Sequence, residues 1–511
     1  MNIKKVKEEI RHTVQAYLTR DKLGDYAIPV VRQRPILLIG PPGIGKTAIM
    51  SQVARECGIA LVSYTITHHT RQSAIGLPFI EKRSYKGNEV SITKYTMSEI
   101  VASIYDKIEA SDIDEGILFI DEINCVSETL APTMLQFLQG KTFGNHKIPE
   151  GWVIVAAGNP PEYNQSVREF DIVTLDRVKK INVDVDYPVW KEYAYEVGIH
   201  GAIISYLDIK KENFYDIETT VDGKEIVTAR GWEDLSRLMT VYEKLDYPVD
   251  ESVILQYIQS RRIAKDFANY LDLYKKYQTD YNVDAVLAGR ISEAGVDRIK
   301  EASFDEKLSV INLLISKLTS VFSDAYAKDM YVHDLFDVLK ELKVVLAKAP
   351  KTGSETAHIL NDKILQIEDD LALNAERGLY EDVQIQSRKR VTMALEGYRQ
   401  SLIKNDMLEP DKAFEYIRGS FAEDTAERKK LIERGMANLE NAFTFLETAF
   451  GESQEMVIFI TELNANKYCA RFIRDNGSAK YDRYNQALLF NQKKEELLRD
   501  IDEVSDLADL L

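Results

Sequence analysis

Up to about residue 185 the chain alternates short, continuous apolar runs with longer mixed stretches. The runs are 35–39 (PILLI), 60–66 (ALVSYTI), 117–120 (ILFI), 152–157 (WVIVAA) and 181–185 (INVDV). A strand with one wet face alternates apolar and polar residues, so a run apolar at nearly every position predicts a strand covered on both faces. With helical stretches between them, the runs predict an α/β layer with a parallel sheet. From about 187 to 249 the pattern changes to a small helical unit with one hairpin signal, Asp222-Gly223 between 218–221 and 224–228. Beyond Asp250 apolar residues recur at spacings of 4, 3 and 4, as in Leu335/Leu339/Leu342/Leu346, Leu360/Ile364/Ile367/Leu371, Leu439/Phe443/Leu446/Phe450 and Leu497/Ile501/Val504/Ala508. Segments this short predict a helix-bundle core rather than an extended coiled coil. The run 456–463 (MVIFITEL) reads as buried core, with a partner-docking patch as the alternative, and 350–356 reads as a loop.

Composition supports this division. A length of 511 residues suggests about three domains at roughly 150 residues each. Only Pro350 and Pro410 of the 13 prolines lie beyond position 250, so turn-rich sequence comes first and long helices follow. A net charge of −17 opposes phosphate backbones, which makes nucleic acid an unfavoured partner. Cys57, Cys125 and Cys469 are too scattered for a metal knuckle or a disulfide framework. The first eleven residues are charged, and no apolar run approaches the ~20 residues that span a bilayer. The expectation is a cytoplasmic protein without a membrane partner.

Chemistry is concentrated in the first part. Gly40-Pro41-Pro42-Gly43-Ile44-Gly45-Lys46-Thr47 fits G-x-x-x-x-G-K-[ST] (the Walker A pattern), after a predicted strand and before a helical stretch opening at Ala48. Glycines let such a loop turn its backbone N–H groups inward around phosphates, and the helix N-terminus adds its dipole. Lys46 would bridge β- and γ-phosphate oxygens, and the Thr47 hydroxyl would ligate Mg²⁺. The run 116–122 (GILFIDE) ends in two carboxylates. Asp121 would hold the same Mg²⁺ (the Walker B role), and Glu122 would act as general base toward the attacking water. The run 153–160 (VIVAAGNP) ends at Asn159, a neutral amide suited to orient that water; a turn-forming Asn before Pro is the plainer alternative. His68 and His69 are adjacent rather than spaced as metal ligands, and the clusters 388–390 and 428–430 read as solvated helix faces.

These motifs together resemble a AAA+ ATPase. The form Phe119-Ile120-Asp121-Glu122-Ile123-Asn124, the following Leu135-Gln136-Phe137-Leu138 and Ala157-Gly158-Asn159-Pro160 resemble, more narrowly, the MoxR group of the helix-2-insert clade. The resemblance covers roughly 20–245. It implies a P-loop core of five parallel strands over 1–187, a small helical lid over 188–249 and a homo-oligomer, normally a hexameric ring with ATP at subunit interfaces. The α-helical remainder, 250–511, would be an adaptor. Leu175-Asp176-Arg177-Val178 matches the group's L-D-R-F with Val in place of Phe, which makes Arg177 the candidate finger toward a neighbour's γ-phosphate; Arg168 is the alternative. Thr228-Ala229-Arg230 resembles the S-P-R motif, in which Arg230 would sense the γ-phosphate from the lid. Ser73-Ala74 stands where the group has an acidic residue. The stretch 80–94 reads as a hairpin or loop facing a pore and 140–149 as a second hairpin, with Phe79, Phe143 and His146 as solvent-facing turn residues or client contacts.

The function this implies is Mg-ATP hydrolysis coupled to chaperone-like remodelling of a partner protein, one with a von Willebrand factor A domain. The alternatives are a nucleic-acid motor or loader, and a nucleotide-gated scaffold with little turnover.

Overall fold

The computed structural model describes residues 1–66, 76–85, 88–126, 130–143, 146–163, 170–220, 223–348 and 354–488. Arg168, His68, His69 and the 4-3-4 run at 497–508 lie outside the described residues. The chain forms two compact units: Met1–Val189 with Leu365–Gln386, and Trp190–Ile364 with Ser387–Leu511.

The first unit is built on a sheet. Its strands in chain order are β1 (Ile36–Ile39), β2 (Ala60–Thr65), the hairpin β3 (Pro78–Tyr85) and β4 (Asn88–Tyr95), β5 (Gly116–Asp121), the short hairpin β6 (Thr142–Phe143) and β7 (His146–Lys147), β8 (Trp152–Gly158) and β9 (Lys179–Asn182). Five of them form a parallel sheet in the order β2-β5-β8-β1-β9, as the apolar runs predict. Alternate residues of each strand feed two cores. Ile36, Leu38, Phe119 and Val155 meet Val6, Ile10, Met50 and Val53 of the helices Ile3–Leu18 and Lys46–Cys57. Leu37, Leu118, Ile120 and Ile154 meet Ile100, Ile104, Met134 and Phe137 of the helices Glu99–Ser111 and Ala131–Gly140. Each such side chain contributes about 1.5–3 kcal/mol by leaving water. Covering both faces is what makes the runs continuous.

Two expectations need correction here. The fifth strand is Lys179–Asn182, not 181–185. It is an edge strand with Ile181 in the core and Lys179 ion-paired to Glu9 at 2.5 Å, so its polar outer residues hide it from an apolar search. Phe143 is fully buried and stacked on Phe137 at 3.7 Å between ring centroids, which anchors the short hairpin rather than offering it to a client. His146 Nε2 lies 3.1 Å from Tyr95 O. Phe79, on the β3–β4 hairpin predicted around 80–94, is exposed.

The second unit is helical apart from a hairpin, Asp216–Thr220 with Gly223–Val227, at the place the Asp222-Gly223 signal marks. Its two longest helices, Phe304–Leu346 and Pro410–Phe450, run antiparallel: Lys328 pairs with Asp424 at 2.7 Å, Asp329 with Arg428 at 2.5 Å, and Phe336 faces Phe421. Met456, Phe459, Ile460 and Leu463 are buried, so the run at 456–463 is core. Helix Phe304–Leu346 is the one among the described residues long and apolar enough to cross a membrane by length and composition. Of its most apolar window, 61% is buried inside the bundle, which is the behaviour of a core helix.

Candidate functional site

The phosphate-loop residues lie where β1 gives way to helix Lys46–Cys57. Gly40 leaves β1 against the neighbouring strand's continuation, and a Cβ there would fall 2.6 Å from Val183 O, so only glycine fits. Pro41 and Pro42 follow with their backbone φ fixed by the ring. Gly43 and Gly45 hold φ of 74° and 88°, the left-handed region that favours glycine, and Ile44 between them packs against the core. Gly45 caps the helix, which places the N–H groups of Lys46, Thr47 and Ala48 at the helix N-terminus, a ready anion site.

Three elements converge on this loop. Lys46, 8% exposed, directs Nζ at Gly40 O and Pro41 O, both at 2.7 Å, and at Asn159 Oδ1 at 3.0 Å. Thr47 Oγ1 donates to Asp121 Oδ2 at 2.9 Å. The other carboxylate oxygen, Asp121 Oδ1, accepts from Glu122 N at 3.0 Å. Beyond this bond the backbone turns, and Glu122 holds φ of 57°, a left-handed conformation uncommon outside glycine. Lys46, Thr47, Asp121, Glu122 and Asn159 are thus gathered at the carboxyl edge of the sheet, where ligands bind in open α/β folds.

Two further predicted residues stand on other elements. Arg177 ends the helix Ile172–Arg177, is exposed, and donates to Gln139 Oε1. Asp171 caps the same helix by accepting from Thr174 N at 2.6 Å; hydrogen bonding at Thr174 holds its carboxyl below the usual range, with a smaller contribution from Arg177. Arg230 belongs to the second unit, exposed in the first turn of helix Ala229–Lys244, where Thr228 Oγ1 caps Gly231 N at 3.3 Å and Trp232 is buried. One site residue lacks any sequence-based role. Asn124, 5% exposed, bonds only through space to Asn159, and no local spacing reports such a pairing.

Thr47 and Asp121 fit a magnesium ion. Both offer hard oxygen donors, they already meet through a 2.9 Å hydrogen bond, and Mg²⁺ characteristically takes one or two protein oxygens with substrate phosphates.

A parallel sheet with a glycine-rich loop after β1 and an acidic pair at the end of β5, with β8 between the two strands, defines a P-loop nucleotide-binding fold. Residues 36–175 match the model of the ATPase family associated with various cellular activities (AAA), and the five-stranded parallel sheet is that of the AAA+ fold. No curated protein matches the chain.

Proposed function

We propose that the protein hydrolyses ATP at this site and couples the reaction to remodelling of a partner protein. The observation that carries the reading is the meeting of Lys46 with Asn159 and of Thr47 with Asp121, which brings three separate motifs to one edge. Lys46 would exchange its carbonyl and amide acceptors for β- and γ-phosphate oxygens. Glu122 accepts a proton from the water that attacks the γ-phosphorus, while the bond from phosphorus to the β–γ bridging oxygen breaks and ADP departs. Asn159 orients that water. Thr47 and Asp121 would hold Mg²⁺, which supplies charge neutralisation at the bridged phosphates when bound. Arg177, exposed at a helix end, is assigned by its motif to serve a neighbouring copy. A guanidinium acting in trans is worth about 10³–10⁵ in rate in related nucleotide hydrolases. Arg230 is assigned to γ-phosphate sensing by its motif alone.

The finer reading, a MoxR-like ring, normally hexameric, acting on a protein with a von Willebrand factor A domain, is supported by the motif forms at 119–124, 157–160 and 175–178. The Glu122→Gln variant tests the core of the proposal. It is expected to retain ATP and lose turnover, while a nucleotide-gated scaffold predicts no change in either measurement. Unchanged hydrolysis would remove Glu122 from the mechanism.

A further inference from the structure

Asn124 stands two positions beyond the acidic pair, and nothing in the reaction described above uses it. Its side chain is 5% exposed, and both ends of its amide face one residue. Nδ2 donates to Asn159 O at 2.7 Å, and Oδ1 accepts from Asn159 N at 3.3 Å. The main chain beside it is tied as well, since Ile123 N donates to Ala157 O at 2.9 Å. Gly158 completes the arrangement by having no side chain: a Cβ there would lie 2.4 Å from Asn124 Oδ1 and 2.7 Å from its Cγ. The backbone of Asn159 is therefore clasped on both its donor and its acceptor, and its side chain reaches Lys46 Nζ at 3.0 Å from that fixed base.

We propose that Asn124, with room supplied by Gly158, is a positioning residue that aims Asn159 at the γ-phosphate and the attacking water. It acts through Asn159 and does not itself touch the nucleotide. The inference rests on the hydrolysis reading above. A buried amide that bridges two strand ends is a plain structural element unless its loss changes turnover selectively, so the experiment separates the two.

The test is a double-mutant cycle on ATP turnover, with nucleotide affinity and thermal unfolding measured alongside. Asn124→Ala and Asn159→Ala are each expected to lower kcat by about 100-fold, the scale of a misplaced catalytic group, with KM for ATP unchanged. The double variant is expected to be no slower than Asn159→Ala alone, because nothing remains to be aimed. Asn124→Asp keeps the shape and the acceptor for Asn159 N but turns an oxygen toward Asn159 O, and it is expected to be as slow as Asn124→Ala. Gly158→Ala leaves Asn124 in the sequence and displaces its amide, so it must reproduce the kcat loss. It carries the test if Asn124→Ala fails to fold. Losses that multiply in the double variant, or wild-type kcat in Asn124→Ala or in a folded Gly158→Ala, overturn the proposal. Wild-type protein that binds ATP but never hydrolyses it overturns the underlying reading instead, and the proposal with it.

Discussion

At Glu122 the backbone itself is part of the site. A left-handed φ costs a residue with a side chain roughly 1–2 kcal/mol, and the Asp121 Oδ1 bond to Glu122 N offsets part of that cost while turning Glu122, the proposed base, out of the strand. Asp121 therefore serves two neighbours, one oxygen for Thr47 and one for Glu122. Removing the Thr47 hydroxyl should weaken the grip on the ion without disturbing the turn. The Thr47→Ala variant is expected to need about tenfold or more Mg²⁺ for half-maximal turnover, read from ATPase rate against Mg²⁺ concentration; an unchanged requirement would exclude Thr47 as a ligand. Residues of this kind are legible in sequence because the chemistry fixes their local spacing, as with Gly40, Gly45, Lys46 and Thr47. Asn124 is legible only as a motif letter, and its pairing is not, because its partner is 35 positions away and only the fold brings the two together.

Among the elements, the strands β1, β2, β5 and β8 were readable, and the edge strand β9 was displaced by a few residues, for the reason Lys179 illustrates: a side chain facing Glu9 and water carries no apolar signal. The short hairpin β6–β7 was readable as a hairpin, yet the direction of Phe143 depended on Phe137, a helix residue that turn chemistry does not report. Lys141, between that helix and that hairpin, has a consequence for pH. It holds φ of 50°, its Nζ lies 3.4 Å from Gln33 Oε1, and burial pushes its amine down to about 8 from 10.5. Below pH 8 the folded state bears the full cost of keeping that cation charged. Between pH 8 and 10.5 the unfolded chain binds more protons than the folded one, so stability attributable to this group rises with pH. Lys141→Met is expected to flatten that rise, seen as denaturation midpoints across the window; an identical pH profile in the variant would contradict the assignment.

Across the whole molecule, each unit is held by its own interior. In the second, Lys191 is nearly buried and bonds both oxygens of Asp208 at 2.7 Å and Glu462 at 2.6 Å, while Tyr195 reaches Glu462 at 2.6 Å and Asn312 reaches Asp208 at 3.0 Å. Deleting the cation strands two largely buried carboxylates, so Lys191→Met is expected to cost about 3–5 kcal/mol in denaturant unfolding. Adding Asp208→Asn and Glu462→Gln should recover part of that loss. Equal stability of the single and triple variants would count against a coupled network. The sequence carries no mark of this network, nor of the segment 365–386 joining the first unit, where Arg55 Nε donates to Gly378 O at 3.1 Å. Assembly belongs to this scale too. Arg177→Ala is expected to bind ATP but fail to hydrolyse it, with the mass of the assembly measured with and without nucleotide; normal hydrolysis would move the role to Arg168.

The edge formed by Lys46, Thr47, Asp121, Glu122 and Asn159 is expected to hold Mg-ATP. Calorimetric titration of the full chain with ATP and Mg²⁺, beside the Lys46→Ala variant, addresses it directly. Saturable binding by the wild type that is lost in the variant is the expected result. No binding by the wild type, or equal binding by both proteins, would contradict it.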